Sequence, residues 1–290
     1  LLHRYKTFIE YHDYATLTRP MISEPFPRYQ YITRASRLVV LSSIREARAS
    51  NHGKAMNLLA DNIRGLRKQL ALQDTLVGKM IFLLQISENL DVAYLVSRQA
   101  GKDHRFKVPA LTREEKDVTT LIARELGLVY NMFTDLDGNP EFWETKGNAP
   151  AWLVKMVFKP NMSINAILPA YRQAIEYASL THAEFAEKMH VGTGPDIQES
   201  RMRNLVGVML NRAAVPNYNK YIARIYDLDA KIALFNSLIH ETDVESRIGL
   251  IKNPYYKNDH TAFLSEDNHG VCFDGPLPDE KNLRCLPIKI

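Results

Sequence analysis

Two cysteines near the C-terminus are the residues of this chain with the clearest chemistry. Cys272 and Cys285 are its only cysteines. Their spacing fits no zinc site, because no second Cys or His pair accompanies them. A bridge between them would close a tail that has little core of its own, and it would raise the free energy of unfolding by up to about 3 kcal/mol. The pair therefore predicts a disulfide and an oxidising compartment such as the bacterial periplasm, with two unpaired thiols in a cytosolic protein as the alternative.

Two aspartates form a second candidate. Asp227 and Asp229 lie in a stretch whose apolar residues recur with helical spacing. A carboxylate beside a buried stripe needs a partner, because an unpaired charge is costly to bury. The preceding predicted helix offers Arg201, Arg203 or Arg212. We predict a structural ion pair at Asp227 and Asp229, with an active-site acid as the alternative.

Four arginines define a candidate interaction face. Arg34, Arg37, Arg45 and Arg48 fall within an arc of about 80° when they are projected around a helix. Such a face suits an acidic protein partner or lipid headgroups. The alternative is a solvated face whose charges pair with neighbouring acids.

One acidic segment resembles part of a metal site. Residues Asp135-Leu136-Asp137-Gly138-Asn139 resemble the beginning of a calcium-binding loop. A complete loop needs a glutamate at its twelfth position, and that position is Lys146. An ordinary Asp-Gly turn within a polar loop over residues 134–150 is the simpler interpretation. We therefore predict no metal site.

The remaining polar residues predict no catalytic or cofactor site. His182, near Glu184 and Glu187, is the best-placed histidine for acid–base work, but a lone histidine is more often a surface or core residue. The chain contains no phosphate-binding loop, no nucleophile elbow and no dinucleotide-binding fingerprint. No catalytic residue and no cofactor are predicted.

Composition narrows the class of protein. The chain has 290 residues, 46% of them hydrophobic, with 14 Tyr and 11 Phe, which is enough for a large core. Its 37 basic and 33 acidic residues leave a net charge of +4, too small and too dispersed to indicate nucleic-acid binding. The longest apolar run, residues 80–84, is far shorter than the roughly 20 residues that span a bilayer, so no transmembrane span is predicted.

The elements that must position these groups are predominantly helices. Between Tyr218 and Ile239, apolar side chains alternate at spacings of three and four, which predicts a long helix with one buried face. Similar patterns between residues 28 and 100 predict helical hairpins packed in succession, with a short separate helix over residues 91–99. Capping boxes at Thr112–Glu115 and Thr181–Glu184 predict two further helix starts.

The last part of the chain differs in character. Short apolar runs at residues 262–264 and 271–273 flank Asn268-His269-Gly270, which predicts a small β-hairpin. We therefore predict an all-α fold, a multi-helix array of packed helical hairpins over residues 1–250. The C-terminal β-hairpin and tail, residues 251–290, are expected to pack on it as one structural unit.

Several short segments of the sequence, taken together, resemble a known group of proteins. They are Asp74-Thr75-Leu76-Val77-Gly78-Lys79-Met80-Ile81, Phe158-Lys159-Pro160-Asn161 with Asn165, Ile225-Tyr226-Asp227-Leu228-Asp229, and Asn253-Pro254-Tyr255. The set is similar to uncharacterised proteobacterial envelope proteins that have one N-terminal inner-membrane anchor and a helical periplasmic region. One turn departs from that pattern, because Asn204-Leu205-Val206-Gly207 stands where Asn-Pro-Val-Gly is expected. The resemblance implies a compartment and an architecture, and it carries over no catalytic residue.

These observations lead to one expected function and two alternatives. The expected location is the periplasm, and the expected partners are another envelope protein and the inner membrane, through an anchor preceding Leu1; no nucleic acid is expected. The expected function is protein interaction, as a scaffold or accessory domain of an envelope or secretion machine, because helical arrays offer extended binding surfaces. One alternative is a hydrolase of an envelope component, with Asp135, Asp137, Glu141 and Glu144 as candidate acids. The other is an immunity protein against a periplasmic toxin.

Overall fold

The fold is a succession of helices followed by a small sheet. The computed structural model describes residues 1–99, 104–139, 150–192, 202–241, 243–256 and 260–288. The helices in these ranges are α1 (Leu2–Glu10), α2 (Tyr29–Arg48), α3 (His52–Leu72), α4 (Leu76–Ser97), α5 (Arg113–Lys116), α6 (Thr119–Gly138), α7 (Ala151–Val157), α8 (Pro160–Ala178), α9 (His182–Val191), α10 (Leu205–Ala214), α11 (Tyr218–Leu238) and α12 (Glu245–Ile248). The strands are β1 (Phe263–Leu264), β2 (Gly270–Cys272) and β3 (Cys285–Pro287). The predicted fold class, all-α with a small C-terminal β-hairpin, is confirmed.

Helices α2, α3 and α4 pack as successive hairpins. Helix α3 contacts both of its neighbours, and α2 also contacts α4. Leu59, Leu66 and Leu70 of α3 and Leu83 of α4 have no exposed surface. Burying one leucine side chain stabilises the fold by roughly 1.5–3 kcal/mol, so this interior is a principal source of stability.

Helix α4 is an apolar helix in the interior. It is the one helix among the described residues that is long and apolar enough to cross a membrane, but 67% of its most apolar window is buried inside the fold. It also runs unbroken to Ser97, where the sequence predicts a separate helix. The polar residues that suggest a break are paired in the interior, since Asn89 accepts a hydrogen bond from Asn62 and Ser87 accepts one from Lys231.

Both predicted capping boxes form, at Thr112–Glu115 and at Thr181–Glu184. The first caps a shorter helix than expected, because α5 ends at Lys116. The next residue, Asp117, is extended, and its carboxylate accepts hydrogen bonds from the N–H and the hydroxyl of Thr119. This turn ends α5 and stands just before Val118, the N-cap residue of α6, so the one predicted helix becomes α5 and α6.

The C-terminal sheet has one strand more than the sequence predicts. Strands β1 and β2 form the expected antiparallel hairpin around Asn268, whose φ is 55°. Strand β3 then pairs antiparallel with β2, with Cys272 opposite Cys285. The Asp279 carboxylate accepts the N–H of Arg284 and so shapes the turn into β3. Strand β3 packs against α4 and α11, so the tail rests on the helical interior.

Two predicted boundaries differ from the structure. Helix α6 continues to Gly138, whereas the sequence predicts a loop from residue 134. Helix α10 begins at Leu205, whereas the pattern suggests a helix from residue 197. Residues 140–149 and 193–201 lie outside the described part of the chain.

Candidate functional site

Three charged side chains of α11 are buried together with its apolar stripe. Asp227, Asp229 and Lys231 are 2%, 5% and 1% exposed. An uncompensated charge in such a place costs several kcal/mol, so each of them needs a partner. We call these three residues and the side chains around them the ionic centre; the surrounding members are Arg284, Tyr255, Lys116, His182, Asp91 and Ser87.

Asp227 faces the C-terminal tail. Its Oδ1 accepts hydrogen bonds from the Tyr255 hydroxyl at 2.6 Å and from Nη1 of Arg284 at 3.2 Å. Burial raises the pKa of Asp227 to about 6, while the Arg284 charge and the Tyr255 hydrogen bond act in the opposite direction. Arg284 therefore favours the charged carboxylate and ties the tail electrostatically to the helical interior.

Asp229 faces α5 and α9. It accepts the Leu111 N–H at 2.7 Å, and its Oδ2 lies 2.5 Å from Nζ of Lys116 and 3.7 Å from Nε2 of His182. Burial lowers the pKa of His182, and the Asp229 charge opposes that shift. Nε2 of His182 also lies 3.2 Å from the Tyr226 carbonyl oxygen. Because a carbonyl oxygen only accepts, Nε2 carries the hydrogen in this contact and is not free to act as a base.

Lys231 faces α4. Its Nζ lies 2.7 Å from Oδ1 of Asp91 and donates to Oγ of Ser87 at 2.7 Å. Burial raises the pKa of Asp91, and the Lys231 charge opposes that shift. Helix α11 is therefore joined by charged contacts to α4, to the α5–α9 side and to the C-terminal tail.

The partners that the structure shows for Asp227 and Asp229 differ from those that the sequence suggests. The two carboxylates pair with Arg284 and Lys116, and not with Arg203 or Arg212 of the preceding helix. Residues two apart on a helix point about 200° away from each other, so the two aspartates meet different neighbours. Arg203 and Arg212 are exposed, and Arg201 is outside the described residues.

The ionic centre lines neither of the two clefts beside α1. One cleft, of about 530 Å³, has Asn62 and Gly65 of α3 among its lining residues. The other, of about 420 Å³, is lined by Phe8 of α1 and Tyr31 of α2, among others. A general base must come within hydrogen-bond reach of its substrate. The hydrolase alternative needs acids or histidines clustered around a pocket. Glu10 and Asp61 line the larger cleft, but Asp61 pairs with Arg64 at 2.8 Å, and no histidine lines either cleft.

The structure describes two of the four other candidate acids. Asp135 and Asp137 lie exposed on helix α6 and not in a loop, which corrects the prediction for this segment. Glu141 and Glu144 lie outside the described residues. Within the described ranges, no group of three or more His, Cys, Asp or Glu side chains could hold a metal ion.

Lys79 of α4 is a buried charge outside the ionic centre. It has no exposed surface, and its Nζ donates to the Asp117 carbonyl oxygen at 2.7 Å. Burial lowers the pKa of the Lys79 ammonium to about 8, against the charges of Asp117 and Glu115. The charged form of Lys79 therefore costs stability at neutral pH.

We expect Lys79→Met to leave the unfolding free energy at neutral pH unchanged or to raise it by up to about 2 kcal/mol, because methionine fills the volume without a buried charge. The pKa in the folded chain is below the unfolded value of 10.5, so the wild-type chain gains stability as the pH rises from about 8 to 10.5. Urea denaturation at neutral pH and at about pH 9 measures this. The unfolding free energy of the variant relative to the wild-type chain should be lower at about pH 9 than at neutral pH. A large loss of stability at neutral pH would contradict this account.

The predicted disulfide is confirmed. Cys272 and Cys285 are bonded across directly paired positions of β2 and β3, 13 residues apart in the chain. Arg284 immediately precedes Cys285, so the bridge also restrains the side chain that pairs with Asp227.

The four arginines predicted as an interaction face lie on the exposed side of α2. Arg34, Arg37, Arg45 and Arg48 are all exposed. Arg37 forms an ion pair with Glu88 at 2.7 Å, which agrees with the alternative of charges paired on a solvated face. Arg45 lies 4.0 Å from Glu46, a looser contact than that of Arg37, so we take Arg34, Arg45 and Arg48 as the candidates for intermolecular contacts.

Sequence reasoning missed three apolar residues on the same side of α2 as these arginines. Tyr31, Leu38 and Leu41 are exposed, Leu41 to 60%. They alternate with arginines at spacings of three and four and so share one side of the helix. We call this side the α2 face; it consists of Tyr31, Arg34, Leu38, Leu41, Arg45 and Arg48. The spacing is visible in the sequence, but an apolar helical stripe ordinarily indicates a buried side.

One segment that carries the resemblance, residues 158–161, meets the segment that departs from it, residues 204–207, at a buried polar joint. The Lys159 N–H donates to Oδ1 of Asn204 at 2.8 Å, and Nδ2 of Asn204 donates to Oγ of Ser163 at 2.9 Å. A Cβ on Gly207 would come within 2.0 Å of the same Ser163 oxygen, so only glycine allows this approach. The joint fixes α10 on the first turns of α8.

A second segment that carries the resemblance, residues 74–81, also has a structural role. The Asp74 carboxylate accepts hydrogen bonds from the N–H and the hydroxyl of Thr16, at 2.6 and 2.8 Å. Thr75 caps α4 and shares a hydrogen bond with the Tyr29 hydroxyl. These residues hold the extended segment before α2 against the interior.

Comparison with known proteins adds no assignment. No protein-family model matches the chain, and no curated protein or solved structure matches it at a significant level. Its function has to be inferred from its own residues.

Proposed function

We propose that this chain is a protein-interaction domain of the bacterial cell envelope. It serves as a scaffold or accessory subunit of an envelope or secretion machine, and it binds its partner through the α2 face. The observation that carries the proposal is the pair of exposed leucines, Leu38 and Leu41, at the middle of a face bracketed by arginines. Clustered exposed apolar side chains rimmed by polar residues are typical of protein-binding surfaces.

The arrangement of the α2 face resembles a small protein interface. Leu38 and Leu41 lie between Arg34 on one side and Arg45 on the other, as an apolar centre with a charged rim, and Tyr31 lies one turn before Arg34. Arginine and tyrosine, both present here, contribute strongly to binding energy in such interfaces. Spacings of three and four are those of a seam between two helices. The partner that fits is a helix with an apolar centre and carboxylates toward both ends.

The opposite side of α2 is fixed to the fold. Ala35 and Ser43 are buried, and Oγ of Ser43 donates to the Ala55 carbonyl oxygen of α3 at 2.9 Å. A partner therefore meets a surface that is already formed, which reduces the entropy lost on binding.

Two further observations support the wider proposal. The disulfide suits an oxidising compartment, in agreement with the periplasm, and the resemblance suggests the inner membrane as the nearby surface. No member of the ionic centre lines the clefts beside α1, and the cavity that Asp227 lines measures only about 20 Å³, which favours binding over hydrolysis. The partner in this proposal is another envelope protein.

Site-specific crosslinking in proteobacterial cells tests the proposal. A photo-reactive amino acid is placed at position 38 or 41, and a control is placed at Ser237, which is exposed on α11. We expect one envelope protein to be captured from both α2 positions and not from position 237. Identical products from all three positions, or none from the α2 positions, would overturn the proposal.

The paired variant Leu38→Gln with Leu41→Gln should separate binding from folding. Both leucines are exposed, so we expect the unfolding free energy to change by no more than about 0.5 kcal/mol. Affinity for the captured partner should fall at least about tenfold, because the apolar centre of the interface is lost. Calorimetric titration of the purified partner measures this, and unchanged affinity would exclude the α2 face as the binding surface.

A further inference from the structure

A second exposed apolar surface lies on α7 and α10. The two helices contact each other. Trp152 and Met156 of α7 and Met209 of α10 are 66%, 62% and 65% exposed. We call the full set the α7–α10 surface; its members are Trp152, Leu153, Met156, Met202, Leu205 and Met209, all exposed. None of them belongs to the α2 face or to the ionic centre.

Each helix presents these side chains from one side. On α7, positions 152, 153 and 156 fall within an arc of about 100°, and on α10 positions 205 and 209 are one turn apart. The other side of α10 is held down, because Val208 and Asn211 are buried and Nδ2 of Asn211 donates to the Ser163 carbonyl oxygen at 3.0 Å. The exposed residues of α10 therefore project from a helix whose other side is packed against the fold.

The charged residues in the segments that form this surface are all basic. Residues 150–159 and 202–214 contain no aspartate or glutamate. Lys155, Lys159 and Arg203 are exposed beside the apolar residues. The α7–α10 surface thus combines large apolar side chains with cationic groups and contributes no carboxylate of its own.

We propose that the α7–α10 surface binds the face of an anionic phospholipid bilayer. An amphipathic tryptophan such as Trp152 is suited to the headgroup level of a membrane. The methionines and leucines would enter the boundary of the acyl chains, and the lysines and Arg203 would contact lipid phosphates. This is a surface contact and not a membrane span. It goes beyond the proposed function and does not depend on the α2 face.

The composition and arrangement of the α7–α10 surface favour lipid over a second protein as the occupant. The α2 face is also cationic, but its apolar residues follow the three-and-four spacing of a seam between helices, whereas those of the α7–α10 surface are spread over two helices and include an exposed tryptophan. A bilayer surface requires only apolar side chains and positive charge. The two segments supply both of these and no negative group.

Vesicle flotation with the disulfide-bonded protein tests the proposal. One set of vesicles contains phosphatidylglycerol and phosphatidylethanolamine, and the other contains phosphatidylcholine alone. We expect binding to the anionic vesicles and much weaker binding to the neutral ones. Binding should also weaken as salt is added, because exposed charges are screened over about 10 Å at 0.1 M salt. In a Trp143→Phe background, Trp152 is the remaining tryptophan, and its emission should shift to the blue on anionic vesicles.

A pair of matched variants assigns the binding to this surface. Met156→Gln with Met209→Gln should reduce the partition coefficient at least about tenfold, because both apolar side chains are lost from the contact. The control is Leu38→Gln with Leu41→Gln, an equal change of two exposed apolar residues on α2, which should bind vesicles like the wild-type chain. Lys155→Glu with Arg203→Glu should weaken binding to the anionic vesicles specifically.

Two results would overturn the proposal. One is that the wild-type chain does not bind anionic vesicles although circular dichroism shows an intact fold. An acidic protein would then be the favoured partner of this surface. The other is equal vesicle binding by the methionine variant and the wild-type chain. Loss of the α2 partner with vesicle binding retained would refute the proposed function alone, so the two proposals fail separately.

Discussion

Replacing Arg284 with methionine is expected to lower the free energy of unfolding by about 3–5 kcal/mol at neutral to mildly alkaline pH, because it leaves the Asp227 carboxylate buried without its cation. The side chains of Arg284 and Asp227 are only 8% and 3% exposed. Water therefore cannot replace the lost arginine. Methionine retains much of the apolar stem of arginine, so the effect reports the charge more than the volume.

The same variant should show a distinctive pH dependence. The pKa of Asp227 in the folded chain, about 6, is above the unfolded value of 3.8. Its contribution to stability is therefore fully present below about 3.8 and is lost as the pH rises through about 6. Without Arg284 the pKa of Asp227 rises further, because that charge favours the carboxylate. The deficit of the variant should thus be largest at about pH 8 and smallest at about pH 5 or below.

Urea denaturation across this pH range measures the effect, and two controls define its origin. Arg224→Met removes an arginine from a more exposed pair with Glu280 and should cost less than about 1 kcal/mol. Asp227→Asn combined with Arg284→Met removes both charges and should recover part of the loss. A deficit for Arg284→Met that does not change with pH would show that packing, and not the Asp227 charge, is responsible.

Removing the disulfide is expected to lower the free energy of unfolding by about 3 kcal/mol, the loop-closure value for a short loop. The bridge closes a segment of 13 residues and joins β2 to β3. Without it, the tail that carries Arg284 has fewer restraints, and the pair with Asp227 forms at greater entropic cost. Urea denaturation of Cys272→Ala with Cys285→Ala measures the loss, and reductant should then have no further effect on that variant.

The disulfide and the Arg284 pair should be energetically coupled. Arg284 adjoins Cys285 in the chain, and both act on the same strand. We therefore expect the variant lacking the disulfide and Arg284 together to lose less stability than the sum of the separate losses. Strict additivity would show that the ionic centre holds its geometry without the bridge.

Local patterns predict much of this fold. The helical hairpins α2–α4, the long helix α11, both capping boxes and the β1–β2 hairpin follow from periodicity and from turn residues within a few positions of one another. The disulfide follows from there being only two cysteines. The errors are local too: buried polar residues suggested a break in α4, and Asp117 restarts a helix that the pattern treats as continuous.

The sequence by itself determined the helical class, the positions of the main helices and the disulfide, because these depend on spacings that are repeated within one segment. Only the tertiary structure decided which groups meet. Asp227 reaches Arg284 across 57 residues, and Asp229 receives the Leu111 N–H across 118. It also decided that the apolar residues of the α2 face and of the α7–α10 surface lie outside, although their spacing resembles that of a buried stripe. A helical pattern specifies one side of a helix, but whether another element covers that side depends on how the whole chain packs.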